Sequence, residues 1–269
     1  MNKNQTEIVA LCYDFDKTLS PRDMQEYGFI EKLSMTPDAF WAKSTKLVQE
    51  TNMDDILAYM YLMVSETAKQ GRAVTRSDLN ALGKDIELFP GVAEWFALAN
   101  EAGKEFGLEV EHYVISSGQK EIIEGTSIAK NFKEIYASSF HYDETGKAVW
   151  PNQAVNYTTK TQYLFRINKN ISVGDVNIYI PEDERRVPFS RMVYIGDSVT
   201  DIPCMRLVKT NGGHAIAVYN NENNHALDTV LRLKREGRIN YYAPADYSKN
   251  GEIYKIIRQI FSQIQARFN

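Results

Sequence analysis

The chain has almost no cysteine. Its two, Cys12 and Cys204 in 269 residues, are too few and too far apart to form a disulfide scaffold, and both read as reduced core residues. It also has no excess of basic charge: 31 Lys and Arg stand against 35 Asp and Glu, a net charge of -4, and the cations are scattered, so no nucleic-acid partner is expected. No apolar run is long enough to span a bilayer, and the polar start Met1–Glu7 holds no signal-peptide core. The expectation is therefore a cytoplasmic protein without membrane contact. Internal repeats and low-complexity tracts are absent too. What is present, 43% hydrophobic and 25% charged residues, is the composition of a globular protein long enough for a substantial core plus an inserted lobe.

The most informative stretch is Ile8–Tyr13, a short apolar run without turn residues that reads as a buried parallel strand. Two carboxylates, Asp14 and Asp16, follow at its C-terminal end. If the backbone is extended there, the two-residue period sets both on one side, side by side at the mouth of a sheet. Like charges at that spacing share a proton or recruit a hard cation such as Mg2+, which makes the pair a candidate site.

From Ser20 to Leu88 the chain reads helical. Candidate helices are Met24–Leu33, Ala39–Glu50 behind the Thr36-Pro37-Asp38 cap, Ile56–Lys69 opened by Asp54-Asp55, and a short helix from Thr75 to Leu82 with Thr75 and Asp78 in capping-box spacing. Phe89-Pro90-Gly91 marks a return, followed by a helix from Val92 to about Ala102. A strand over Val110–Ser117, a helix from Gln119 and a strand over Glu134–Phe140 then give the βαβ alternation of a doubly wound parallel sheet with right-handed crossovers. A β-hairpin is expected over Tyr142–Tyr157 and a helix over Thr161–Asn168, then an exposed excursion over Asn170–Ser190. Strand Met192–Ile195 ends in the acidic loop Gly196–Asp201. Strand His214–Val218, helix Ala226–Glu236, strand Ile239–Ala243 and the amphipathic helix Glu252–Ala266 complete the chain. This divides it into a core of residues 1–19 and 89–269 and an inserted helical domain of residues 20–88. Open parallel sheets bind ligands beyond the C-terminal ends of their strands, where separated motifs can converge.

Four motifs resemble those of the haloacid dehalogenase-like hydrolase superfamily, in family order over nearly the whole chain. Asp14-Phe15-Asp16-Lys17-Thr18 is similar to its Asp-x-Asp-x-Thr motif, Val114-Ile115-Ser116-Ser117-Gly118 to its second, Lys160 to its third, and Gly196-Asp197-Ser198-Val199-Thr200-Asp201 to its Gly-Asp-x-x-x-Asp motif. The resemblance implies a Rossmann-like core with helices on both faces and a helical cap of the C1 subclass, which includes phosphoserine phosphatase-like members. It also implies a Mg2+-dependent phosphatase acting on a small phosphorylated metabolite. In that scheme Asp14 is the nucleophile, and Asp16 donates and later accepts a proton while its backbone carbonyl meets the metal. Asp197 ligates the ion, and Asp201 ligates it or holds a metal-bound water. Thr18, Ser116, Ser117, Gly118 and Lys160 face the phosphate, where a dianion among carboxylates needs positive charge beyond one Mg2+.

Ser117 is the register alternative to Ser116, and Lys130 and Lys169 remain alternatives to Lys160, because the excursion lengthens the path to Asp197. Asp16 argues against the dehalogenase branch, which lacks this acid. Lys17 stands where many members have Gly, and Lys17–Pro21 is the expected hinge to the cap. A phosphomutase or phosphotransferase using the same intermediate is an alternative that product analysis separates. A non-catalytic phosphometabolite-binding protein is another, marked by loss of a core acid.

Overall fold

The computed structural model describes residues 7–197 and 199–267, apart from the Asn224 side chain. Strand β1, Glu7–Tyr13, is buried on both faces: Val9, Leu11 and Tyr13 join one hydrophobic cluster, Ala10 and Cys12 the other. Such a strand must be covered by helices on both sides, and that makes it the centre of the sheet.

The inserted lobe follows as α1 (Phe29–Lys32), α2 (Pro37–Thr51), α3 (Asp55–Lys69) and α4 (Arg76–Leu82). The caps are those expected: Thr36 Oγ1 accepts from Ala39 N–H, Asp54 from Ile56 and Leu57 N–H, and Thr75 from Asp78 N–H. The helix expected over Met24–Leu33 is broken. A 3-10 turn at Met24–Glu26 is separated from α1 by Gly28, whose φ of 94° lies in the left-handed region that stops a right-handed helix.

The core resumes with α5 (Val92–Glu105), β2 (Leu108–Gln119), α6 (Lys120–Glu124), β3 (Glu134–Tyr142), β4 (Ala148–Gln153) and α7 (Lys160–Lys169). It ends with β5 (Met192–Gly196), α8 (Ile202–Thr210), β6 (His214–Tyr219), α9 (Asn224–Arg235), β7 (Tyr241–Pro244) and α10 (Glu252–Gln265). The sheet order is β4-β3-β2-β1-β5-β6-β7, parallel except for the antiparallel edge strand β4. The expected hairpin is therefore no separate excursion, since its first arm is β3 itself. Strand order reverses between β1 and β5, which is where ligands bind in doubly wound sheets.

A largely buried polar chain starts at Tyr13, the last residue of β1. The Trp95 indole donates to the Tyr13 hydroxyl at 2.8 Å; the phenol donates to His112 Nδ1 at 2.9 Å, and His112 Nε2 donates to Asn100 Oδ1 at 3.0 Å. Each donor meets an acceptor only if His112 is neutral. Burial keeps it so, pushing its pKa down to about 3 against the pull of Glu111.

The inserted lobe is closely fastened to the core. Its side chains belong to the same cluster as Val9, Leu11 and Tyr13, and α4 packs on α6. Ala148 N–H donates to Val74 O, Asn80 donates to Glu121 O, and Asn156 donates to Asp54 at 2.8 Å. Among the described residues no helix is long and apolar enough to cross a membrane.

Candidate active site

Asp14 directly follows β1, and its N–H donates to Ile195 O at 2.9 Å, which ties it to the end of strand β5. Asp197 directly follows β5. Asp201 ends the 3-10 turn Val199–Asp201 that leads into α8, and it is fully buried. A Cβ on Gly196 would fall 2.6 Å from Asp201 Cγ, so glycine at the strand end lets this carboxylate fold back against the sheet. One oxygen from each of Asp14, Asp197 and Asp201 lies within 4.8 Å of the others. Ser198 of this loop lies outside the described residues.

Lys160, the first residue of α7, is fully buried beneath the cluster. Its Nζ stands 3.0 Å from Asp14 Oδ1 and 2.8 Å from Asp201 Oδ1. Asp201 Oδ1 also accepts from the Tyr194 hydroxyl at 2.8 Å, and its Oδ2 accepts from Asp197 N–H at 3.2 Å. The alternatives to Lys160 lie elsewhere: Lys169 Nζ donates to the carbonyls of Val176 and Ile178, and Lys130 is exposed.

The cluster is short of positive charge. Burial, then repulsion from Asp201, raises the Asp14 carboxyl to about 6 in spite of Lys160. Burial, Asp201 and Asp14 push Asp197 well above the usual carboxylate range. Burial alone would lower the Lys160 ammonium, but Asp14 and Asp201 outweigh it and hold its pKa above the ordinary value. Three hard oxygen donors with an unmet demand for cation fit a divalent metal ion.

Asp16 departs from the expectation of a side-by-side pair. Regular strand geometry ends at Tyr13, so the period-two argument does not carry through to Asp16, whose carboxylate is not one of the three clustered ones. It turns toward the inserted lobe and accepts from Met24 N–H at 2.9 Å. Burial, then Asp23 and Asp14, raises its pKa well above the ordinary value. Lys17 adopts φ 59°, a left-handed conformation that glycine takes more readily, and pairs with Asp23 at 2.7 Å.

The second motif also differs locally. Ser116, Ser117 and Gly118 are still in β2, at a register shift against β3, and α6 starts only at Lys120, so Ser116 does not stand at a helix N-terminus. Ser116 Oγ instead accepts from Gly118 N–H at 3.0 Å. The side chain of Met24 fills the space a Cβ on Gly118 would need, beside Asp16 Oδ2. Thr18 is buried with its carbonyl held by the Tyr247 hydroxyl at 2.8 Å, and its own hydroxyl finds no partner among the described residues.

The sequence alone assigns no site role to Tyr194, Met24, Tyr247 or Tyr59. Tyr59 reaches from α3 to donate to Ser117 O at 2.6 Å and accepts from Gln119 at 3.1 Å. Only Tyr194 carried a legible signal, a lone hydroxyl in the otherwise apolar run Met192–Ile195.

The family model of haloacid dehalogenase-like hydrolases matches residues 11–206. An uncharacterised protein of Borreliella burgdorferi is 26% identical over 286 residues, spanning 96% of this chain and 98% of its own length. Among solved structures, a HAD family hydrolase from Salmonella enterica superposes with a TM-score of 0.57 at 14% identity, over 87% of this chain and 66% of that one. A phosphoserine phosphatase with a phospho-aspartyl intermediate analogue superposes with a TM-score of 0.56 at 15% identity, over 94% of this chain and 99% of that one. At such identities the superpositions speak for the fold alone.

Proposed function

Since the chain belongs to the haloacid dehalogenase-like hydrolase family, we propose that it is a Mg2+-dependent phosphatase hydrolysing a small phosphomonoester through an aspartyl phosphate on Asp14. Residues 20–88 serve as its cap, and residues 1–19 with 89–269 as its core. The observation that carries the reading is the buried Lys160 ammonium spanning Asp14 and Asp201, with Asp197 completing a carboxylate cluster at the strand-order reversal.

The side chains of Asp14, Asp197 and Asp201 and the backbone carbonyl of Asp16 would hold the metal. When bound, Mg2+ supplies positive charge to the phosphoryl oxygens and favours the ionised form of Asp14. An Asp14 oxygen attacks phosphorus as the bond to the leaving oxygen breaks. Asp16, whose environment favours the protonated acid, gives its proton to that oxygen. In the second half Asp16 takes a proton from water, the water oxygen bonds to phosphorus, and the bond to Asp14 breaks, which restores both residues. Lys160 stabilises the added negative charge at Asp14 throughout. Ser116, Ser117, Gly118 and Thr18 contribute phosphate contacts, and the cap residues Met24 and Tyr59 close the leaving-group side and exclude bulk water.

The test is Asp14→Asn assayed with an aryl phosphate in Mg2+ and in EDTA. Turnover should fall by at least about a thousandfold with the fold retained, as for loss of a nucleophile elsewhere. Undiminished turnover by this variant would remove the nucleophile assignment.

A further inference from the structure

Strand β5 is buried throughout, and Met192, Val193 and Ile195 are apolar, yet its middle carries a phenol. A buried hydroxyl costs free energy unless it is hydrogen-bonded, and phenylalanine would fill the same space without that cost. The Tyr194 hydroxyl donates to Asp201 Oδ1 at 2.8 Å, the oxygen that also takes the Lys160 ammonium at 2.8 Å. The strand's alternation explains the meeting. Met192 and Tyr194 point to the face covered by α7 and α8, the face on which Leu164 and Cys204 pack, and Lys160 begins α7.

We infer that Tyr194 is a positioning residue: through Asp201 it sets both the metal-binding carboxylates and the sharing of Lys160 between Asp201 and Asp14. The inference rests on the metal-dependent reading above. Two donors on Oδ1 and the Asp197 N–H on Oδ2 fix the plane of the Asp201 carboxylate from two sides. Without the phenol, Oδ1 loses one donor, the carboxylate gains freedom to rotate, and the sharing of Lys160 between Asp201 and Asp14 shifts. Loss of such a supporting hydrogen bond around a metal ligand costs about 10–100-fold in metal affinity or activity.

The test is Tyr194→Phe, which keeps the ring. Mg2+ binding to EDTA-stripped protein is measured by titration calorimetry, alongside kcat and KM with an aryl phosphate and the melting temperature. The expected result is a Mg2+ dissociation constant raised about tenfold or more, and kcat lowered by a similar factor, with KM little changed. Cys12→Ala is the packing control. Cys12 lies opposite Tyr194 in the β1–β5 register and is buried on the same face, so its truncation should lower the melting temperature and leave Mg2+ affinity unaltered. Wild-type Mg2+ affinity in folded Tyr194→Phe overturns the inference, as does an equal loss in Cys12→Ala. If wild-type protein binds Mg2+ but hydrolyses no phosphomonoester, the phosphatase reading falls while the affinity ratio still decides Tyr194. A wild-type protein that binds no Mg2+ overturns both.

Discussion

Two ionic clusters in this molecule, each combining carboxylate and basic side chains with a tyrosine hydroxyl, have opposite balance. At the C-terminal edge of the sheet, Asp14, Asp197 and Asp201 gather, with the buried cation Lys160 against Asp14 and Asp201. In the first half of β2, one carboxylate, Glu111, is held by Arg186 and Lys133 and accepts from the Tyr113 hydroxyl at 2.6 Å. Burial pushes both kinds of carboxyl upward, but the outcomes diverge: Asp14 rises to about 6, whereas the charges and hydrogen bonds on Glu111 pull it down to about 2. Full compensation marks a clamp, here one that fastens the otherwise irregular segment 170–190 to β2 through Arg186. A deficit marks a place where a further cation belongs. Acidity alone would not have told them apart.

The largest effect that would break this contrast is expected at Lys160. Lys160→Met leaves Asp14 and Asp201 buried without their ammonium, and metal-free protein should lose about 3–5 kcal/mol in urea unfolding. Mg2+ at a hundred times its dissociation constant should restore about 2.7 kcal/mol. A variant as stable as wild type without metal would show that the cluster is not starved of charge. Glu111→Gln should cost less, about 1–2 kcal/mol, because Arg186 and Lys133 are partly exposed and regain hydration. Its loss should be indifferent to Mg2+ and leave turnover unchanged; a Mg2+-dependent loss would erase the distinction between clamp and site.

How much of this was legible depended on how local the signal was. The doubly wound sheet and inserted helical lobe followed from strand and helix patterns, and the acidic loop after β5 from a glycine and two aspartates behind an apolar run. Gly28 was read as part of a helix because a left-handed φ leaves no mark on periodicity. The direction of Asp16 depended on β1 ending at Tyr13, a boundary that spacing does not fix. The choice among Lys130, Lys160 and Lys169 is a matter of tertiary placement: only the start of α7 lies against both Asp14 and Asp201. The Glu111 clamp joins residues of β2 to Arg186 of a segment without periodic pattern, and no motif announces it.

The finest discrimination between the two clusters comes from the sign of their pH dependence. Glu111 falls from its ordinary 4.5 to about 2 on folding, so the native state binds fewer protons there than the unfolded chain. Its contribution is fully present above pH 4.5 and is lost as pH falls through about 2. Asp14 is raised from 3.8 to about 6, so the native state binds more protons; its contribution is present below 3.8 and is lost as pH rises through about 6. Each slope is bounded by about 1.4 kcal/mol per pH unit for one proton. Stability of metal-free wild type and Asp14→Asn, measured by urea unfolding from pH 4 to 7, should therefore differ by an amount that grows in the variant's favour with rising pH. Glu111→Gln should fall furthest behind wild type above pH 4.5 and converge with it in stronger acid. Mg2+ should flatten the Asp14 slope, because a bound cation favours the ionised carboxylate, and should leave the Glu111 slope as it is. If Asp14→Asn tracks wild type at constant separation across that range, Asp14 already has its charge compensated without metal, and the two clusters are alike.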